Sequence, residues 1–335
     1  MTFIKTEQLQ LKDAKQNLPG FDACYLNIVD YILKITNEIW EERAIWVVYD
    51  TYTKDVLVHS GANKIVGIEK VVVGTIKTLA GFPDRKMGAE TVIWAQDNEK
   101  QFFSSHRIGS TATNTGNTFF GKATGKKVFF RTIVDCMIQD NKIYEEWLVR
   151  DNLHLLLQLG FDPVEMAKKD TRYDNSEVAF SKSRSTNSTS NSGTLTADES
   201  TPEGLIYKLL HSEFKQKKYN TLNNYYSENA ILYGVCDNDV KGVDAIKNYI
   251  KTLLESFQDL SLTVERITTN QVGSKTEVAA RWYLKGEISE KNIFDNSKKS
   301  YLYLPIISHY HVKGGKITEE WLVYDGFDAL CQIYS

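Results

Sequence analysis

The chain has 335 residues, of which 42% are hydrophobic and 25% are charged, and its formal net charge is -3. This balance is typical of a globular protein that is long enough for two domains. Without a basic excess or a long run of Lys or Arg, nucleic acid is not an expected partner. The chain has no run of about 18 apolar residues and no apolar leader at its N-terminus, so we expect a cytoplasmic protein that does not enter a membrane.

The first half begins with helices and continues with strands. Apolar residues recur every three or four positions over residues 22–43, which predicts an amphipathic helix with Asp22 as a candidate N-cap. A short strand at a pocket rim is predicted over residues 52–59, and a second helix follows Gly67. The period then changes to two, which predicts strands over residues 91–95, 101–111, 127–139 and 143–151.

The second half repeats this plan. Helices are predicted after Pro202 and after Gly242, and strands over residues 260–268, 276–288, 300–312 and 317–325. Residues 176–200 are mostly Ser, Thr and Asn, which is typical of a linker. We therefore predict an α+β fold with domains over residues 1–170 and 201–335 and a linker over residues 171–200.

One motif recurs almost unchanged in the two halves. The stretch KIYEEWLVRD at residues 142–151 returns 174 residues later as KITEEWLVYD at residues 316–325, with eight of ten positions identical. A spacing of domain size indicates a tandem duplication.

This motif and the Leu-rich helix after it, which ends in Gln-Leu-Gly, resemble the SnoaL-like polyketide cyclases of the nuclear-transport-factor-2-like superfamily. The resemblance extends through His106-Arg-Ile and residues 123–127 and 158–163 in the first copy, and through residues 280–286 in the second. It implies two tandem cone-shaped barrels, each a curved mixed or antiparallel sheet wrapped around a long N-terminal helix. It also implies chemistry without cofactor or metal on a small apolar or polyketide-like molecule.

The two aspartates that end the motif are the first catalytic candidates. Asp151 and Asp325 share a strand face with a Trp and a Val, where a carboxylate costs free energy unless it is paired, protonated or open to a pocket. A desolvated aspartate can act as a general base. The alternative is that each aspartate caps the helix that follows it. The sequence leaves both interpretations open.

His106 and Arg107 are further catalytic candidates on the second strand. As neighbours they point to opposite faces, so only one of them can share a cavity with Asp151. If the odd-numbered face lines the cavity, Arg107 is the partner; if a bulge shifts the register, His106 becomes the candidate acid. The alternative is a structural ion pair between strands, both for Arg107 and for its equivalent Arg281.

Other polar and aromatic residues are candidate ligand contacts. His59 lies at the predicted rim, where an exposed His is the alternative, and the Trp residues can instead belong to the core. His309 shares a strand face with His311, a spacing that chelates a metal only when a third ligand converges, and none stands out, so no metal site is predicted. The candidate ligand contacts are His59, Asp135, Trp147, Arg281, His309 and Trp321.

Two functions follow as hypotheses. The resemblance implies a cyclase or isomerase in which Asp151, and also Asp325 if both copies act, removes a proton next to a carbonyl. The alternative is a non-catalytic ligand-binding or scaffold protein, because this fold serves both purposes. We expect the two domains to pair as an internal pseudo-dimer, with a homo-oligomer also compatible. The first copy keeps the fuller motif set and is the expected active one.

Overall fold

A computed structural model describes residues 14–170, 198, 200–290, 292–294 and 301–334. The chain divides into two compact units: Met1–Arg150 with His154–Asp162, and Asp151–Leu153 with Pro163–Ser335. Apart from Asp198 and Ser200, the predicted linker lies outside the described residues. Within the described part of the chain, no helix is long and apolar enough to cross a bilayer.

The first unit contains one six-stranded sheet with the strand order β2-β1-β6-β5-β4-β3. Strands β1 and β6 are parallel, and every other neighbouring pair is antiparallel. The sheet is mixed and open, with edges at β2 and β3, so the predicted barrel is not closed. In chain order, the helices and strands up to residue 159 are α1 (Ile28–Trp40), α2 (Val47–Thr51), β1 (Tyr52–Ser60), β2 (Asn63–Val66), α3 (Ile68–Gly81), β3 (Lys86–Gln96), β4 (Gln101–Thr113), β5 (Lys127–Gln139), β6 (Lys142–Arg150) and α4 (Asn152–Leu159).

Helix α1 packs its apolar stripe against the sheet, as the predicted amphipathic pattern requires. Its buried residues share one hydrophobic core with Phe102 of β4 and Ile138 of β5. The helix begins later than predicted, because Asn27 rather than Asp22 is its N-cap. The Oδ1 atom of Asn27 accepts a hydrogen bond of 2.9 Å from the backbone N of Asp30.

The second unit repeats the sheet with the order β8-β7-β12-β11-β10-β9. Its N-terminal helix is shorter than that of the first unit and continues as a π-helical turn over Leu209–Phe214. The prediction of two α+β domains is confirmed. The elements are α5 (Pro163–Lys169), α6 (Pro202–Lys208), β7 (Tyr226–Tyr233), β8 (Val240–Lys241), α7 (Val243–Glu255), β9 (Ser261–Val272), β10 (Lys275–Glu287), β11 (Tyr301–Lys313), β12 (Lys316–Tyr324) and α8 (Gly326–Tyr334), with 3-10 turns at Tyr219–Asn224 and Val235–Asp237.

Candidate functional site

The first unit encloses a cavity of about 70 Å³ between α1 and its sheet. This volume is small beside the roughly 300–1,000 Å³ of common ligand pockets, so it suits a small molecule or one group of a larger one. The cavity combines apolar walls with several ionisable or hydroxyl-bearing side chains. Its ionisable or hydroxyl-bearing lining residues are Thr36, Tyr52, Arg85, His106, Thr132, Cys136, Glu146 and Arg150.

Three neighbouring strands place these side chains in rows. Strands β4, β5 and β6 pair in register across this region, so the even-numbered residues of all three share the cavity face. His106 lies in the middle row, Thr132 and Arg150 lie in the next row toward one end, and Glu146 lies in the row toward the other end. The cavity therefore has an acidic end, a histidine at its middle and a cationic end.

The acidic end is a hydrogen-bonded pair. The hydroxyl of Tyr52, on β1, donates to Oε2 of Glu146, on β6, at 2.8 Å. Burial raises the pKa of Glu146 to about 7, against the opposing effects of the Tyr52 hydrogen bond and the Arg150 charge. Burial also raises the pKa of Tyr52 well above its usual range, so this phenol keeps its proton. Glu146 can therefore take up or release a proton near neutral pH.

His106 supplies an unengaged polar atom at the middle of the cavity. Its side chain is 3% exposed, and its Nε2 atom makes no hydrogen bond within the described residues. Burial, followed by the charge of Arg107, lowers the pKa of His106 to about 3. The imidazole is therefore neutral at ordinary pH, with one ring nitrogen as a donor and the other as an acceptor. A neutral imidazole can donate to a ligand carbonyl.

Arg85 lies at the cationic end in a fixed position. Its guanidinium carbon is 4.6 Å from the ring centre of Trp40 and 5.1 Å from that of Phe130. Its Nε and Nη2 atoms donate to Oγ of Ser110 at 3.3 and 3.0 Å. Its Nη1 atom, although buried, makes no hydrogen bond within the described residues.

Two further side chains complete the cationic end. The guanidinium carbon of Arg150 is 5.6 Å from the same Phe130 ring that Arg85 contacts. Burial, together with the charge of Arg150, lowers the pKa of Arg85 well below its usual range. The buried Oγ1 of Thr132 has no hydrogen-bond partner among the described residues. This end thus offers positive charge and free donors to a ligand.

A family model for SnoaL-like polyketide cyclases matches residues 31–159 and 205–333, which together make up more than half of the chain. The chain belongs to this family. Each match lies over one of the two repeated units, so this SnoaL-like protein carries the family's domain twice. A search of curated proteins found no match.

Several solved structures are similar to part of this SnoaL-like protein. AclR from Streptomyces galilaeus is 22% identical, with a TM-score of 0.34, and the match covers 39% of this chain and 92% of that one. TsrD from Streptomyces laurentii is 17% identical, with a TM-score of 0.35 and coverages of 39% and 94%. A SnoaL-like polyketide cyclase from Agrobacterium tumefaciens is 19% identical, with a TM-score of 0.32 and coverages of 39% and 96%.

Arg107 lies on the sheet face opposite to the cavity in the first SnoaL-like domain. Its Nε atom donates to Oε2 of Glu90 at 2.7 Å, and Nε of Arg131 approaches the same oxygen at 3.2 Å. Arg281 makes the equivalent contact with Glu265 at 2.9 Å in the second domain. Both arginines thus make the inter-strand ion pair that the sequence left as an alternative, and His106 is the one that lines the cavity.

The two candidate aspartates make structural hydrogen bonds. Asp151 does not line the cavity and belongs to the second unit, where its Oδ2 accepts a 2.6 Å hydrogen bond from the backbone N of Cys236. Asp325 caps α8, because its Oδ1 accepts hydrogen bonds of 3.0 Å from the backbone N atoms of Phe327 and Asp328. A base role for either residue stays a prediction.

The remaining candidates of the first domain lie away from the cavity. His59 is 5% exposed, which corrects the expectation of an exposed rim histidine. Its ring stacks on that of Trp147 at 4.9 Å, and its Nε2 is 2.7 Å from Oε1 of Glu145. Asp135 is buried on the odd-numbered face of β5. None of the three lines the cavity.

Two candidates of the second domain occupy equivalent places. Trp321 stacks on Tyr233 with ring centres 4.9 Å apart, and the fully buried His309 lies opposite Trp321 in the strand register. The Nδ1 atom of His311 pairs with Glu319 at 2.6 Å. In the described part of the chain, no group of three or more His, Cys, Asp or Glu residues could hold a metal.

The second SnoaL-like domain keeps the acidic pair of the first. The hydroxyl of Tyr226 donates to Oε2 of Glu320 at 2.6 Å, and burial raises the pKa of Glu320 to about 7. At the 174-residue offset, His106 becomes Ala280, Ile108 becomes Trp282, Cys136 becomes Tyr310 and Arg150 becomes Tyr324. Trp282 and Tyr310 are fully buried. Large aromatic rings thus occupy the positions that border the cavity in the first domain.

A larger cavity of about 610 Å³ in the second unit has a different character. Its walls are mostly apolar, and the ionisable residues among them are Cys236, Tyr249 and Tyr324. Burial raises the pKa of each of the three. None of these groups exchanges a proton near neutral pH, so this cavity lacks an acid/base group of the kind that Glu146 supplies.

The sequence analysis missed Tyr52, Arg85, Thr132, Glu146 and Arg150. The signal lay inside the repeated motif, where Glu146 and Arg150 fall on the face opposite to the one chosen. The motif has only two differences between copies, and one of them is Arg150 against Tyr324.

Proposed function

We propose that the first SnoaL-like domain binds a small carbonyl compound in its cavity and catalyses proton transfer at the carbon next to the carbonyl. The observation that carries this proposal is Glu146, which faces the cavity with a pKa of about 7. A carboxyl group with that pKa serves as base in one step and as acid in the next. The family supports a small-molecule cyclase or isomerase.

The proposed reaction has two steps. The Glu146 carboxylate takes a proton from the carbon next to the carbonyl, and the electron pair of the broken C–H bond moves to the carbonyl oxygen, which gives an enolate. Nε2 of His106, in its N–H tautomer, donates to that oxygen. When the substrate is an unsaturated ketone, the enolate extends over the double bond and takes the proton from Glu146 at the far carbon, which shifts the double bond. When the substrate has a second carbonyl, the enolate carbon forms a C–C bond with it, and the new alkoxide oxygen takes the proton from Glu146 as the ring closes.

Tyr52 positions the base. Its hydroxyl donates to Oε2 of Glu146, and because its pKa lies well above the usual range it does not give up its proton. The hydrogen bond fixes the carboxylate plane and leaves Oε1 to receive the substrate proton. This proposal places the general base at Glu146 instead of Asp151, whose carboxylate is engaged by the Cys236 backbone.

For the second domain we propose a non-catalytic role. The specific observation is the replacement of cavity-lining positions by Trp282, Tyr310 and Tyr324. Buried aromatic side chains contribute strongly to core stability, so this domain serves as a scaffold.

Exchange of substrate protons for deuterium tests the proposal without knowledge of the natural substrate. Levulinate (4-oxopentanoate) and its uncharged analogue levulinamide both carry protons next to a ketone, and proton NMR in D₂O measures their exchange. We expect the protein to accelerate exchange in at least one probe, and Glu146→Gln to reduce that rate by at least about 100-fold. A variant rate equal to that of the unmodified protein overturns the assignment of Glu146.

A further inference from the structure

We infer that the cationic end of the first-domain cavity binds a carboxylate, so that its substrate is a small oxo acid in anionic form. The site is the pair Arg85 and Arg150 together with Thr132. The inference rests on the proposed function only where it calls this ligand the substrate. It replaces the apolar ligand that the family resemblance implied.

The charge of Arg85 has no ion-pair partner among the described residues. Arg85 is 4% exposed. The carboxylate that raises its pKa is Glu41, which is held by hydrogen bonds of 3.1 Å from Lys86 and 2.9 Å from the backbone of Met87. A buried cation without a partner is costly, and an anionic ligand removes that cost.

The other carboxylate of the cavity lies at its far end. Glu146 and Arg150 are four residues apart on β6, so their Cα atoms are separated by about 13 Å. A ligand carboxylate at the other end supplies the anion that Arg85 lacks among the described residues.

Two donors at this end have no hydrogen-bond partner among the described residues. Ser110 engages Nε and Nη2 of Arg85 and so leaves Nη1 as the donor without a partner. The Oγ1 of Thr132 is a second donor, in the same row as Arg150. Two donors and a neighbouring guanidinium match the two oxygens of one carboxylate.

The row spacing also limits the length of the substrate. The Thr132 row and the His106 row are two residues apart on the strands, or about 7 Å between Cα atoms. A carboxylate at the arginines and a carbonyl at His106 thus require a short spacer. Levulinate, which has two methylene groups between these functions, spans that step.

Binding of levulinate and levulinamide at constant ionic strength tests the inference, because the two differ in charge at nearly equal size. We expect the unmodified protein to bind levulinate at least about tenfold more tightly than levulinamide in NMR titrations. Arg85→Gln should weaken levulinate binding by about tenfold and leave levulinamide binding unchanged. Arg131→Gln is the matched control, since this arginine lies on the opposite face of β5 against Glu90, and it should leave both affinities within about twofold.

Three results would overturn the inference. One is equal affinity of the unmodified protein for the acid and the amide. Another is unchanged levulinate binding in Arg85→Gln, or, if that variant does not fold, in both Arg150→Gln and Thr132→Val. The third is competition by inorganic phosphate as strong as that by levulinate, which identifies a phosphate site instead.

The binding test of the carboxylate site and the deuterium-exchange test of the proposed catalysis can give different results. Tight levulinate binding without deuterium exchange in either probe supports the carboxylate site and refutes the catalytic proposal. If deuterium exchange is as fast in levulinamide as in levulinate, and the two bind equally well, the catalytic proposal is supported and the carboxylate site is refuted.

Discussion

The two domains share one framework and differ inside it. Both have the same strand order and the same buried Tyr–Glu pair, at 2.8 Å in the first domain and 2.6 Å in the second. The first domain adds His106 and Arg150 to a small cavity, whereas the second has Ala280 and Tyr324 at these positions. The two domains therefore differ in a few side chains on one sheet face, and these side chains include the polar ones of the first-domain cavity.

Features present in both domains are best explained by the fold. The ion pairs of Arg107 and Arg281 recur at 2.7 and 2.9 Å, and the ring stack on Trp147 recurs on Trp321. The buried glutamate also recurs, so it does not by itself distinguish an active domain. Its neighbours differ between the domains, and the proposed base needs space for a substrate and a donor for the substrate's oxygen.

The largest expected effect is a loss of deuterium exchange on substitution of Glu146 but not of its equivalent, Glu320. Glu146→Gln removes the proposed base but keeps an oxygen that accepts from Tyr52, so deuterium exchange in the probe ketones should fall by about 100- to 10,000-fold. Glu320→Gln makes the same change in the second domain and should leave the exchange rate unchanged. Equal losses in the two variants would mean that the second domain takes part in the chemistry.

Reciprocal substitutions at one equivalent position, Ile108 in the first domain and Trp282 in the second, test the difference between the two interiors. Trp282 is fully buried and its Nε1 donates to Oγ of Ser308 at 3.2 Å, so Trp282→Ile should lower the free energy of unfolding by about 2–4 kcal/mol. The reciprocal Ile108→Trp fills the first cavity and should abolish levulinate binding, at a cost of about 1–3 kcal/mol. Denaturant titrations and NMR binding measure both. Retained levulinate binding in Ile108→Trp would show that the ligand lies elsewhere.

The pH dependence of stability should reveal the buried glutamate of the second domain. Burial raises the pKa of Glu320 from its ordinary 4.5 to about 7. The folded state then binds the proton more tightly than the unfolded state, so this stabilisation is full below pH 4.5 and is lost as the pH rises through about 7. The loss amounts to at most about 3 kcal/mol.

Glu320→Gln removes this titration. Between pH 5 and pH 8, the unfolding free energy of the unmodified protein should therefore fall more than that of the variant, by up to about 3 kcal/mol. Denaturant titrations at the two pH values measure the difference. Identical pH dependence in the two proteins would show that Glu320 is not buried as an acid.

The sequence was sufficient to predict where the strands lie but not which face of each strand lines the cavity. The predicted strand over residues 127–139 matches β5, because a run rich in aromatic and β-branched residues lies between turn-forming segments. Alternation defines two faces but does not say which one meets α1, since both faces of β4 are buried. Asp151 was chosen from the odd-numbered face of β6, and only the pairing of β4, β5 and β6 shows that Glu146 lies on the cavity face.

The smallest expected effect concerns Asp151 and Asp325, the equivalent aspartates that end the repeated motif. It tests whether each of them has only a structural role. Asp151→Asn keeps an oxygen for the Cys236 N–H and Asp325→Asn keeps the cap of α8, so each should change stability by less than about 1 kcal/mol. Asp151→Ala and Asp325→Ala remove the acceptors and should each cost about 1–2 kcal/mol. Because Asp151 does not line the first cavity, Asp151→Asn should also leave deuterium exchange within about twofold of the unmodified rate. A loss of exchange by about 100-fold in Asp151→Asn, with stability unchanged, would restore this aspartate as the general base and refute the assignment to Glu146.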